Sequence, residues 1–280
     1  MSFWQRVQDI DRRIIYVLLF VLVGYVLVKP IGLPIVVNKE TQKAYDALDK
    51  IPARSILFCS ADYGSSSMPE LLPAQKAVLR HALGKNLRVI VGGMWPEAGA
   101  MTNIVWQEVS KDFPDKKYGV DFVNVGYKPG AAVLLERMIS DAHQALQGID
   151  FYGKNFSDLP LMSEFKTIKS AAMVFAFIAG DPGEKEWVKM VTDPLRMPLA
   201  TATTAVAVPG QMPLVQSGQI VGILKGMGGA AEYELLVKSP GSAIAGMDAL
   251  SATHILMVLF IILGNIGYLM TRKQTPQGKA

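Results

Sequence analysis

The 280-residue chain is half apolar, only 19% charged and carries a formal net charge of +4, which excludes a disordered, fibrous or collagen-like protein. Residues 1–30 hold four Lys+Arg against two Asp+Glu, residues 249–280 three against none, and residues 31–248 twenty-one against twenty-two. The basic excess belongs to the apolar ends and the middle is neutral, so no nucleic-acid partner is expected.

Residues 14–28 are uncharged and strongly apolar, bracketed by Arg12, Arg13 and Lys29, whose side chains can snorkel to an interface. No small-x-small cleavage site follows in Lys29, Pro30, Ile31, Gly32, Leu33 and Pro34, so an anchor is preferred over a cleaved signal peptide. Residues 249–271 form a second uncharged block, reaching about 34 Å as a helix. The expected division is a cytoplasmic N-terminus (1–12), a first transmembrane helix (13–30), a connector and stalk or opening helix (31–54), an α/β domain (55–246), a second transmembrane helix (247–271) and a cytoplasmic tail (272–280). Arg6, Arg12, Arg13, Arg272, Lys273 and Lys279 flank the outer ends, against Lys29, Lys39, Lys43 and Lys238 on the loop side. Positive flanks stay inside, which puts both termini in the bacterial cytoplasm and the middle outside the cytoplasmic membrane. In the second block Gly264, Asn265 and Gly267 share one turn, the pattern of a helix–helix contact, with Gly24 or Leu22 of the first block or with another membrane subunit. His254 reads as a polar residue at the outer interface.

From Ser55 onward, apolar runs end in glycine-bearing loops and alternate with helix-period segments. The runs are 56–60, 87–91, 120–125, 171–179, 199–203 and 220–224, and the helices 69–83, 97–111, 131–146, 184–191, 209–215 and 230–237. Gly84 stands where a helix end calls for a left-handed residue. Continuous rather than alternating apolar strands predict a mostly parallel sheet covered on both faces. The fold expected is α/β, Rossmann-like and doubly wound, flanked by two transmembrane helices; six units are too few for a TIM barrel.

Such sheets bind ligands outside the carboxyl ends of their strands. Asp62, Ser65, Trp95, Tyr127, Lys128, Asp181, Thr203, Thr204 and Lys225 all fall in loops on that edge and are the candidate ligand-binding residues, although polar, glycine-rich loops also serve simply to turn the chain. Gly126-Tyr127-Lys128-Pro129-Gly130 and Gly226-Met227-Gly228-Gly229 put amides and a nearby lysine where an anion binds, yet neither has dinucleotide-binding or P-loop spacing. Asp62 and Asp181 form a possible carboxylate pair, or two turn formers. Ser65 to Ser67 suit a helix cap. Cys59, inside an apolar run, reads as a buried structural thiol. His81 and His143 have no ligand spacing, so neither metal nor other cofactor is expected.

Gly246-Met247-Asp248-Ala249, Ala252, His254 and Leu263-Gly264-Asn265-Ile266-Gly267-Tyr268, with Ala230-Ala231-Glu232-Tyr233-Glu234 before them, resemble a group of uncharacterised two-span bacterial membrane proteins. That resemblance implies the architecture and no activity. In layout alone the chain is also similar to auxiliary subunits of ABC export and gliding systems. The function expected is a non-enzymatic, membrane-anchored accessory or scaffold subunit, docking on a membrane protein partner or a second copy. The alternative is a ligand-binding sensor or hydrolase that takes a small molecule in the strand-end crevice.

Overall fold

The computed structural model describes residues 3–4 and 10–272. Arg6, Lys273 and Lys279, which carry part of the orientation reading, and the tail from 273 lie outside the described residues. Ile35–Ala243 forms one unit, and the chain up to Pro34 together with the chain from Ile244 forms another.

In the first unit the apolar runs become six strands, β1 (Ile56–Asp62), β2 (Arg88–Gly93), β3 (Phe122–Tyr127), β4 (Ala171–Ile178), β5 (Leu199–Thr203) and β6 (Gly222–Lys225). All pairings are parallel and the order is β3-β2-β1-β4-β5-β6, that of a Rossmann-like doubly wound sheet reversing between β1 and β4. Leu57 of β1 pairs with Val89 and with Met173, and every residue of β1 is buried. Ile56 and Phe58 join a core with Ile90, Val123, Leu134 and Trp187; alternation turns Leu57 and Cys59 to the other face. Each large apolar side chain buried in this way contributes about 1.5–3 kcal/mol.

Helices of nine residues or more among the described residues are α1 (Arg12–Val28), α2 (Lys39–Asp49), α3 (Met68–Gly84), α4 (Ala98–Val109), α5 (Ala131–Ser140), α6 (Val208–Gln216), α7 (Gly226–Leu236) and α8 (Ser242–Arg272). Of the two readings of residues 39–50, the stalk gives way to the opening helix. Ala44 and Leu48 of α2 are buried, and a Cβ on Gly222 would stand 2.3 Å from the Ala44 backbone nitrogen. Glycine alone lets α2 lie this close to edge strand β6. The α/β unit therefore begins about twenty residues before the expected boundary at 55.

Three local expectations change. Asn86, at φ 57, takes the left-handed position expected of Gly84, which is the last helical residue. The helix expected over 131–146 breaks at Asp141, whose extended backbone and carboxylate, accepting the Gln144 N–H at 3.0 Å, start a separate turn (Ala142–Ala145). The helix after β4 passes into a π-type turn at Val188–Thr192.

Ser242–Thr271, which belongs to the second unit from Ile244 on, is the one helix among the described residues long and apolar enough to cross a membrane. α1 has 17 residues, about 25 Å, so of the two expected spans only the C-terminal one reaches that length. Val26 packs against Ala249 and Ala252, with Leu22 and Val23 beside them. The buried Asp248 carboxylate accepts the N–H groups of Gly32 at 2.7 Å and Leu33 at 3.1 Å, tying the segment after α1 to α8.

Gly24 and Gly264 both have open space where a Cβ would stand, and Gly267 is buried. Asn265 turns its amide back onto its own helix, donating to the Ile261 carbonyl at 2.8 Å. Among the described residues the two helices meet at Val26, Ala249 and Ala252, beside the Asp248 clip.

Candidate functional site

The sheet delivers all nine expected residues to one edge. From β3 to β6 they run Tyr127 and Lys128, Trp95, Asp62 and Ser65, Asp181, Thr203 and Thr204, then Lys225. A strand-end location follows from topology; availability depends on what each side chain touches.

Asp62 ends β1 at the point where strand order reverses and is wholly buried. Its carboxylate accepts the Ser60 hydroxyl at 2.5 Å and the Met94 N–H at 2.6 Å. Burial pushes its pKa up to about 7, while these hydrogen bonds pull the other way. The acid that raises it further is Glu186 rather than Asp181. Asp181 is exposed, 4.0 Å from Lys185, and the two expected partners do not form a dyad. The Trp187 indole N–H is a further donor facing the Asp62 carboxylate and also pulls its pKa down, whereas the buried Thr204 hydroxyl has no hydrogen-bond partner among the described residues. Thr203 spends its hydroxyl on the Ile178 carbonyl at 3.0 Å.

The lysines of the two glycine loops are engaged as well. Lys128 is 4% exposed and donates to the Ile149 carbonyl at 3.0 Å; burial lowers its pKa and Asp150 opposes the shift. Lys225 pairs with Glu40 at 3.2 Å. Trp95 donates its indole N–H to the Pro182 carbonyl at 3.3 Å. Of the nine, Tyr127, Ser65 and Asp181 are exposed.

Loop amides at this edge are where Rossmann-like folds cradle phosphates. Here four are taken by the chain's own carboxylates. Asp62 holds the Met94 N–H. Glu97 holds the N–H and hydroxyl of Ser65 at 2.8 and 2.5 Å, an arrangement that lowers its own pKa. Glu186 holds the Gly183 N–H at 2.8 Å, and Glu70 the Ala205 N–H at 2.8 Å. A Cβ on Gly226, itself at φ +58, would stand 2.6 Å from the Glu70 Oε2, so that carboxylate lies over the second glycine loop. Ser65 is therefore a ligand of Glu97 and not the expected cap of α3, whose N-terminus has no side-chain cap. Around Ser60, Met94, Lys128 and Trp187 the remaining space is about 10 Å³, no more than one water molecule fills.

Sequence reasoning missed Glu70, Glu97 and Glu186. Each lies at the start of a helix following a strand-end loop, a position that favours acids at a helix N-terminus. That preference does not reveal which loop the side chain crosses to.

It also missed the cluster around His81. A cavity of about 580 Å³ opens at the other end of the sheet, where α2, α3 and α7 terminate. On its wall Asp49 accepts the Nε2–H of His81 at 3.2 Å. A carboxylate is acceptor only, which leaves Nδ1 to accept the Tyr233 hydroxyl at 2.8 Å. The Tyr45 ring stacks on His81, with centroids 4.3 Å apart. Burial lowers the His81 pKa against the pull of Asp49, and the His81 and Lys85 hydrogen bonds lower that of Asp49. Both His81 nitrogens are occupied, so the chain of hydrogen bonds ties α2, α3 and α7 and offers no free base. Cys59 is buried, and burial raises its thiol pKa.

These features define a Rossmann-like α/β protein with, among its described residues, one helix long and apolar enough to cross a membrane. The chain matches no protein family, no curated protein and no solved structure.

Proposed function

We propose that the chain is a membrane-anchored accessory subunit whose α/β domain docks on another membrane protein or on a second copy, without catalysing a reaction. The observation carrying this reading is the occupation of the Ser65, Met94, Gly183 and Ala205 amides by Glu97, Asp62, Glu186 and Glu70. Four strand-end amides that could hold a phosphate-bearing ligand are thus filled by the chain's own carboxylates. The near-neutral pKa of Asp62 favours the rival hydrolase or sensor, but its burial keeps it from any substrate.

Two anchors suit this role. α8 has the required length, and Arg12, Arg13 and Lys29 can extend α1 by snorkelling. Basic flanks retain both termini in the cytoplasm and put the α/β domain outside it, periplasmic in a Gram-negative cell. Tyr127, Phe151 and Tyr152, each more than 40% exposed, give a partner protein aromatic anchors of the kind that dominate interfaces.

Photo-crosslinking in cells from Tyr127 and Tyr152 tests the docking. Adducts with one and the same membrane protein, or with a second copy, are expected at both positions and absent at Lys43 on α2. Saturable stabilisation of the detergent-purified chain by ADP, without such adducts, would overturn the reading in favour of the rival. For topology, a reporter active only outside the cytoplasm should work near Ser157 and fail after Ala280; the reverse pattern would sink the orientation.

A further inference from the structure

The cavity beside His81 lies at the opposite end of the sheet from the edge where doubly wound folds bind ligands. Its volume of about 580 Å³ is within the range of small-molecule sites, which join apolar walls to a few convergent polar groups. Tyr45 and Phe113 supply two aromatic walls.

Three cations line it, and two are already matched. Arg80 is held by Asp112, Nε to Oδ2 at 2.7 Å, and Lys85 by Asp49, Nζ to Oδ1 at 3.2 Å. Lys238 is exposed and forms no ion pair among the described residues. Among the formal side-chain charges lining the cavity, Lys238 is the one left unmatched. Gly84 keeps the space open: a Cβ there would meet nothing nearer than the Phe113 ring at 4.0 Å.

We propose that this cavity binds a small planar aromatic carboxylate, its ring against Tyr45 and Phe113 and its charge on Lys238. The site goes beyond the docking role, to which it would add a ligand signal. It involves none of the strand-end groups.

The full chain in detergent, titrated calorimetrically with indole-3-acetate, tests this, with acetate as the ringless control. Saturable one-to-one binding of indole-3-acetate is expected, and none of acetate. Gly84→Leu should fill the space and abolish binding. Lys238→Asn, which keeps a residue tolerant of the left-handed backbone at φ 54, should weaken it about tenfold. If Gly84→Leu fails to fold, Lys238→Asn decides. Absence of indole-3-acetate binding, equal binding of acetate, or affinity unchanged in Lys238→Asn would each overturn the proposal.

Discussion

The Asp62 carboxylate, at the carboxyl end of the central strand, accepts the Met94 N–H at 2.6 Å, so the first strand-end loop of this sheet closes the second. The same Asp62 receives the Ser60 hydroxyl and is fully buried. Strand ends that in such folds receive a ligand are here bound to one another.

A pH dependence follows from this contact. Folding raises the Asp62 pKa to about 7 from about 3.9 in an unfolded chain. Between those values the folded state holds the extra proton, so the Asp62 contribution to stability falls as pH rises through that window and is flat above it. Melting of the detergent-purified chain from pH 4 to 8 should show this slope, and Asp62→Asn should remove it. Asp62→Ala leaves the Met94 amide unpaired, at a cost of about 1–3 kcal/mol.

His81 bends the profile the other way. Burial depresses its folded pKa below the ordinary value, so the stability it contributes is present above the unfolded pKa, about 6.5, and is lost as pH falls toward the folded value. The groups facing it are Asp49 and Tyr45 from α2, Lys85 from its own side of the cavity and Tyr233 from α7. His81→Phe should abolish the acid-side component while lowering stability at pH 7.5, as read by melting on the Asp62→Asn background.

Removing the internal anions should reopen the edge. In Glu97→Ala combined with Glu70→Ala, the Ser65 and Ala205 amides lose their carboxylates. Inorganic phosphate is then expected to stabilise the double variant and not the parent chain in a thermal-shift titration. A parent chain that responds equally would mean that the carboxylates do not close the site.

Asp248 is the clip of the end-segment unit. Asp248→Ala strips the acceptor from the Gly32 and Leu33 amides and should destabilise that unit by about 1–3 kcal/mol. Hydrogen exchange at Gly32 and Leu33 should accelerate, while the strand amides of β1 stay protected.

The alternation of strands and helices, the parallel sheet and the strand-end address of all nine candidate residues were legible in the chain's residue order. These follow from local signals: continuous apolar runs, the glycine loops after them and the helical period between. The same order also located the long apolar helix at the C-terminus, since length and hydropathy are properties of a contiguous stretch. What those side chains touch depends instead on long-range packing. Glu97 reaches Ser65 from 32 residues away and Glu70 reaches Ala205 from 135, pairings that carry no local period. The role of residues 39–50 was decided in the same way, because the amphipathic stripe of Ala44 and Leu48 demands cover without naming β6 as its source. The cavity at His81 is likewise a meeting of three helix ends, whose residues are ordinary helical ones until packing brings them together.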